Sequence, residues 1–132
     1  MRLNCRYQDP DNTIADLDVE LFTKDGWIPL GLSETSPGFL IFTYSVFTCQ
    51  HMYMRLNCAE RGLMLESSTG SIELVTSEDW KMQKLHVEFD GKLKSGSPTG
   101  DDIDYITGRM GQCPVSVNMQ HPPESKAELR LS

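Results

Sequence analysis

Cys113 stands directly before Pro114, and this pair predicts the start of a short helix. Proline is common at the first position of a helix, because its fixed φ angle fits there and its missing N–H is not needed. A cysteine at such a start lies at the positive end of the helix dipole, which lowers the pKa of the thiol and favours the reactive thiolate. A small residue that only fills the helix start would give the same pattern, so the residue types leave both interpretations open.

The other three cysteines are Cys5, Cys49 and Cys58. Cys49 and Cys58 fall in one predicted helix, on faces that the period of 3.6 residues per turn keeps apart. Cys58 is interpreted as a packing or surface residue, and Cys5 as a packing residue of a strand. Cysteines this few and this spread, without a Cys-x-x-Cys pair, predict neither a disulfide scaffold nor a structural zinc site.

The three histidines, His51, His86 and His121, lack the spacing of metal ligands. His51 lies about 200° around the helix from Cys49, and we expect it to face a different pocket. No nucleophile elbow supports a Ser-His-Asp hydrolase, and the loop at 95–100 lacks the lysine of a phosphate-binding loop. We therefore predict neither a metal ion nor another cofactor.

The length of 132 residues predicts a single domain, 1–132, large enough to bury a core. Asp and Glu number 19 against 12 Lys and Arg, which gives a formal net charge of -7. Since phosphate backbones and anionic membrane surfaces attract clustered basic residues, this charge disfavours nucleic acid and membrane partners. The most apolar stretch, 39–53, is too short for a membrane span. The N-terminus has no signal-peptide core, so we predict a cytoplasmic location.

The first third of the chain predicts β-structure. Polar and apolar residues alternate over 1–7, which places Leu3, Cys5 and Tyr7 on one face of a strand. Two more strands are predicted at 14–22 and 27–30, with turns at 9–12 and 24–26.

A long helix is predicted from Ser36-Pro37 to Arg61, with Ser36 as its cap and Gly62 as its stop. Its apolar residues cover most of the circumference: Phe39, Leu40, Ile41, Phe42, Tyr44, Val46, Phe47, Met52, Tyr53, Met54 and Leu56. A helix that is apolar all round lies in the middle of a core. In a domain of this size it must be wrapped by a sheet or clamped by a second subunit.

The remaining chain predicts two strands, two short helices and a final strand. The strands are placed at 63–75 and 85–89 around a turn at 76–81, followed by an exposed loop at 92–100. The helices are placed from Asp101-Asp102 to about Gly111 and, after Cys113-Pro114, over 115–120, with a break at 121–123 and a strand through Ala127, Leu129 and Leu131. The order β-β-β-α-β-β-α-α-β is an α+β fold.

Five segments together resemble the OsmC/Ohr family, the osmotically inducible protein C and organic hydroperoxide resistance proteins. They are Ser36-Pro37, Thr48-Cys49, the helix exit Ala59-Glu60-Arg61-Gly62-Leu63, the hairpin residues Val87-Glu88-Phe89, and Cys113-Pro114-Val115-Ser116. The resemblance implies an OsmC-like α+β fold, with antiparallel sheets around a long buried central helix, built as an interlocked homodimer. It covers nearly the whole chain.

The resemblance also implies a function, the thiol-dependent reduction of organic hydroperoxides in the cytoplasm. Cys49 would be the peroxidatic residue and Cys113 the resolving one, with a thiol or dihydrolipoyl donor as the reductant. Arg6 matches the arginine that supports the thiolate in the family, and an ordinary exposed arginine of a strand is the alternative interpretation. The glutamate that holds this arginine is missing, because its place falls on Gly38 or Phe39.

The missing glutamate favours an alternative function. The nearest acid, Glu34, precedes the helix. A divergent OsmC-like protein with weak or no peroxidase activity would then serve as a binding protein for a small hydrophobic ligand, whereas the retention of both cysteines favours the enzyme.

Overall fold

A computed structural model describes residues 1–119 and 122–130. Its elements in chain order are β1 (Arg2–Tyr7), β2 (Ile14–Thr23), β3 (Gly26–Pro29), α1 (Gly38–Glu60), β4 (Met64–Thr76), β5 (Met82–Ser95), α2 (Gly100–Met110) and α3 (Pro114–Val117). Among the described residues, no helix is both long and apolar enough to cross a membrane.

The five strands form one antiparallel sheet in the order β3-β2-β1-β4-β5. The predicted alternation in β1 is confirmed, since Leu3, Cys5 and Tyr7 are buried and the residues between them are exposed. α1 packs on this buried face, where Val46 and Phe47 are completely enclosed. The opposite face of the sheet is mostly polar and carries ion pairs such as Arg6 with Asp16.

The predicted start of the long helix is one residue early. Pro37 is the N-cap of α1 and makes no side-chain capping bond. Ser36 instead closes the preceding turn, where its Oγ accepts a hydrogen bond from the Ser33 N–H at 2.8 Å. The predicted stop is confirmed, because Gly62 has a φ of 70°, a backbone conformation that glycine adopts without strain.

The predicted loop at 92–100 is wrong for its first half, because β5 continues to Ser95. Leu93 pairs with Leu65 of β4 and packs against the core, and this burial extends the hairpin. α2 begins after Thr99, which forms a capping box with Asp102.

α1 is less enclosed than its sequence predicts. A single sheet covers one side of it, and α2 and α3 cover part of the rest. Ile41, Met52 and Leu56 remain exposed on its outer side. The apolar circumference of α1 is therefore not fully buried by the described part of its own chain.

The C-terminal predictions are corrected. α3 ends at Val117, short of the predicted 120, and the described residues 122–130 form no strand. Leu129 is 79% exposed, and without an apolar face to pack or a neighbouring strand an extended segment gains no stabilisation. Gln120, His121 and Leu131 lie outside the described residues.

Candidate functional site

The packing of α3 against α1 brings the thiols of Cys49 and Cys113 together. Both cysteines are reduced and buried; Cys49 is 7% exposed and Cys113 is fully enclosed. Gln50 ties the two helices beside them, donating from Nε2 to the Ser116 Oγ at 3.1 Å. Two cysteines predicted on separate helices, 64 positions apart in the sequence, are thus neighbours in the fold.

The predicted helix start at Cys113 is confirmed. Cys113 is the N-cap of α3, and its Sγ accepts a hydrogen bond from the Ser116 N–H at 3.3 Å. The Ser116 Oγ lies 3.0 Å from the same sulfur. These groups, together with the Val115 N–H, point hydrogen-bond donors at the place where a thiolate would form.

The pKa values of the two thiols move apart. Burial raises the pKa of Cys49, and the hydrogen bond with Cys113 raises it further. Burial also acts to raise the pKa of Cys113, but hydrogen bonds from Cys49 and Ser116 outweigh it and hold this pKa below its ordinary value. The first proton therefore leaves Cys113, and Cys49 keeps its own.

Cys49 also borders a groove of about 370 Å³ on the outer side of α1. Ile14 of β2 and Val115 of α3 line the groove. The remaining lining residues all belong to α1 and are Ser45, Thr48, Cys49, His51, Met52 and Arg55. Cys113 is not among them, so Cys49 is the thiol that a molecule in this groove meets.

His51 lines the same groove as Cys49, so the expectation that it faces a different pocket is wrong. Both residues border the groove although they lie about 200° apart around the helix. The Tyr7 hydroxyl lies 2.7 Å from His51 Nε2 and 2.6 Å from Ser68 Oγ, in a buried network. Burial, with a smaller effect of the nearby Arg55 charge, lowers the pKa of His51 to about 4. The imidazole is therefore neutral at pH 7.

Arg55 lines the groove, and no motif or spacing in the sequence singles it out. Its Nη1 donates to the Asn12 carbonyl at 3.2 Å, and its buried Nε has no hydrogen-bond partner among the described residues. Asn12 is completely buried, and its amide donates to the carbonyls of Arg55 and Leu63 and accepts from the Leu65 N–H. The turn at 9–12 was visible in the sequence, but its contact with α1 was not.

Arg6 is not brought to the cysteines. It alternates with the inward-facing Cys5 and Tyr7, so it points to the other face of the sheet, where its Nη2 lies 2.9 Å from Asp16. Glu34 is exposed in the turn before α1. The arginine and carboxylate that the family resemblance implies therefore do not meet at Cys49 in this chain.

The other two cysteines are packing residues. Cys5 faces α1 from the sheet, and Cys58 lies on the side of α1 away from the groove. Within residues 1–119 and 122–130, no three side chains of His, Cys, Asp or Glu are grouped as metal ligands.

Comparison with known proteins supports the fold. No protein-family model matches the chain, and no curated protein sequence matches it. Among solved structures it is similar to the crystal structure of an OsmC-like hydroperoxide resistance protein from Jannaschia sp. CCS1, with a TM-score of 0.60. The alignment covers 98% of this chain and 91% of the other at 9% sequence identity. At this identity the likeness shows the fold, which is the OsmC-like α+β fold.

Proposed function

We propose that this chain reduces organic hydroperoxides with Cys49 and Cys113 as a redox-active pair. The observation that carries the proposal is the contact between a cysteine that borders a groove and a buried one whose pKa is lowered. The OsmC-like fold adds support, since the similar solved structure is titled a hydroperoxide resistance protein.

The first step follows from the protonation states of the two thiols. Cys113, as the thiolate, accepts the proton of the neighbouring Cys49 thiol and acts as its general base. The resulting Cys49 thiolate attacks the terminal oxygen of a hydroperoxide in the groove, a sulfur–oxygen bond forms, and the O–O bond breaks. Cys49 becomes a sulfenic acid, and the departing alkoxide recovers a proton from Cys113 and leaves as an alcohol.

The second step uses the same contact. The Cys113 thiolate attacks the sulfenic sulfur of Cys49, a disulfide forms, and hydroxide leaves. An external thiol or dihydrolipoyl donor then reduces the disulfide and is itself oxidised. Each turnover consumes one hydroperoxide and two thiols of the donor and yields one alcohol and one water.

We expect this activity to be weak. A thiol reacts with a peroxide as the thiolate, and burial raises rather than lowers the pKa of Cys49. Arg6 is engaged with Asp16 on the far face of the sheet. Activation of Cys49 therefore depends on its buried partner Cys113, and the fraction of reactive Cys49 thiolate is small.

The exposed apolar residues of α1 support a homodimer. Ile41, Met52 and Leu56 lie on its outer side, and Met52 also lines the groove. A second copy that covers this side would bury them and place the groove at the subunit boundary. An obligate interface of this kind buries more than about 2,000 Å², so sedimentation should show a dimer at micromolar concentration, which Leu56→Glu dissociates and Leu129→Glu leaves intact. A stable monomer in the unmodified chain would contradict the homodimer.

The test of the proposed function is the consumption of cumene or tert-butyl hydroperoxide with dithiothreitol or dihydrolipoamide. Cys49→Ser and Cys113→Ser should each abolish turnover. Cys58→Ser is the matched control, because Cys58 is a buried cysteine of the same helix that does not line the groove, and it should retain turnover. Equal rates in all four proteins, or none above the background rate of the donor, would refute the proposal.

A further inference from the structure

A second cavity of about 290 Å³ lies on the other side of α1, between α1, α2 and the β4–β5 hairpin. The side chains that line it are almost all apolar. They include Cys58, Leu63, Leu65, Ile103 and Ile106, together with Thr107. None of these residues lines the groove that holds Cys49.

The side chains of the lining favour an apolar ligand over a polar one. Among the described residues that line the cavity none is charged, and Thr107 supplies their one hydroxyl. The Cys58 thiol is buried, and burial raises its pKa to about 11, so it stays neutral and behaves as an apolar group. A water molecule needs two to four polar partners to be held in a cavity, and the described side chains that line this one supply a single hydroxyl.

The cavity is closed at one end and open at the other, a shape that suits a small ligand. Leu63, Leu65 and Ile106 form a deeply buried floor, while Ile103 and Thr107 are exposed at the mouth. Protein cores are close-packed, and an empty apolar space costs stability in proportion to its volume.

We propose that this cavity binds a small, neutral, apolar molecule. Its volume is about twice the 150 Å³ of an engineered apolar cavity that holds benzene, which corresponds to a fused aromatic pair or a medium alkyl chain. α2, which forms one wall of the cavity, exposes the negatively charged side chains of Asp101 and Asp104. Arg61 on this side is engaged with Asp102 and with the ring of Tyr105. An anionic ligand such as a fatty acid is therefore disfavoured.

This ligand site does not rest on the proposed peroxidase function, because Cys49 and Cys113 take no part in it. The experiment is titration of the full chain with N-phenyl-1-naphthylamine, a neutral dye that fluoresces in apolar surroundings. We expect one bound dye per chain, displaced by 1-octanol and at least tenfold less effectively by octanoate. No saturable binding, or equal displacement by the two competitors, would overturn the proposal.

Two substitutions test whether the dye binds in this cavity. Thr107→Trp fills the mouth and should weaken dye binding at least tenfold. Asp104→Trp is the matched control, because it adds the same side chain at an exposed position of the same helix that does not line the cavity. Equal affinity of the two variants would show that the dye binds elsewhere.

A second measurement covers the case in which Thr107→Trp fails to fold. In the unmodified chain, 1-octanol should slow the modification of Cys58 by methyl methanethiosulfonate at least threefold, read by peptide mass spectrometry. Cys5 is the internal control, since it is buried outside the cavity. Equal slowing at Cys58 and Cys5, or no slowing, would contradict ligand binding at this site.

Discussion

The Tyr7 hydroxyl lies 2.7 Å from the Nε2 of His51 and joins β1 to α1 through a hydrogen bond that water does not reach. Ser68 of β4 completes the network from the other side of the hydroxyl, at 2.6 Å. Hydrogen bonds of this kind are costly to break on one side, because the remaining buried polar group is left without a partner. The network therefore fixes α1, and with it Cys49, against the sheet.

Stability should fall with acid because of His51. Its pKa in the folded chain is about 4, chiefly through burial, against an ordinary value of 6.5. The unfolded chain therefore binds the extra proton first, so the contribution is fully present above about pH 6.5 and is lost as the pH falls towards 4, about 3 kcal/mol in all. Urea unfolding from pH 7.5 to 4.5 measures it.

The control for this prediction is His51→Gln, which can hydrogen-bond Tyr7 but does not titrate. It should show a much flatter dependence of stability on pH between 6.5 and 4.5. An unchanged slope in this variant would assign the acid sensitivity to other groups.

Asn12→Ala should destabilise the fold by about 2–4 kcal/mol. The amide makes three hydrogen bonds in a buried position, and its removal leaves the Leu65 N–H without its partner. Asn12 also has a φ of 53°, which asparagine tolerates better than alanine. Asn4→Ala, on the exposed face of β1, should change the free energy of unfolding by less than about 0.5 kcal/mol. Equal effects of the two substitutions in urea titrations would refute the role given to Asn12.

Ser116→Ala should raise the pKa of Cys113 by about one to two units. The substitution removes the hydroxyl that lies 3.0 Å from the sulfur but keeps the backbone N–H, and a hydrogen bond to a charged group is worth about 1.5–3 kcal/mol. The absorbance of the thiolate near 240 nm, followed against pH in a Cys49→Ser background for both proteins, reports the shift. Ser71→Ala, remote from α3, should leave the titration unchanged, and a shift of the same size there would argue against the contact.

Much of the fold could be predicted because its signals are local. Pro114 marks the start of α3 at Cys113, Gly62 ends α1, and the alternation of β1 places Cys5 and Tyr7 inward. That same alternation turns Arg6 away from the thiols. The prediction of a final strand through Ala127 and Leu129 was wrong, because alternation in the sequence does not show whether a neighbouring strand is available for pairing.

The candidate site was less accessible to sequence reasoning because its contacts are long-range. Ser68 is 61 residues from Tyr7, and the groove is lined by Ile14 and Val115 from opposite ends of the chain. No periodicity relates such positions. The pairing of Cys49 with Cys113 came from the family resemblance rather than from spacing, and their different exposure became visible in the fold.

The most direct test of the redox pair is peptide mapping after one equivalent of cumene hydroperoxide is added to the reduced chain without donor. The proposal predicts a Cys49–Cys113 disulfide, with two thiols lost for each cumyl alcohol formed and with Cys5 and Cys58 still reduced. Cys49 oxidised to the sulfinic acid without a disulfide, or four intact thiols and no alcohol, would contradict it.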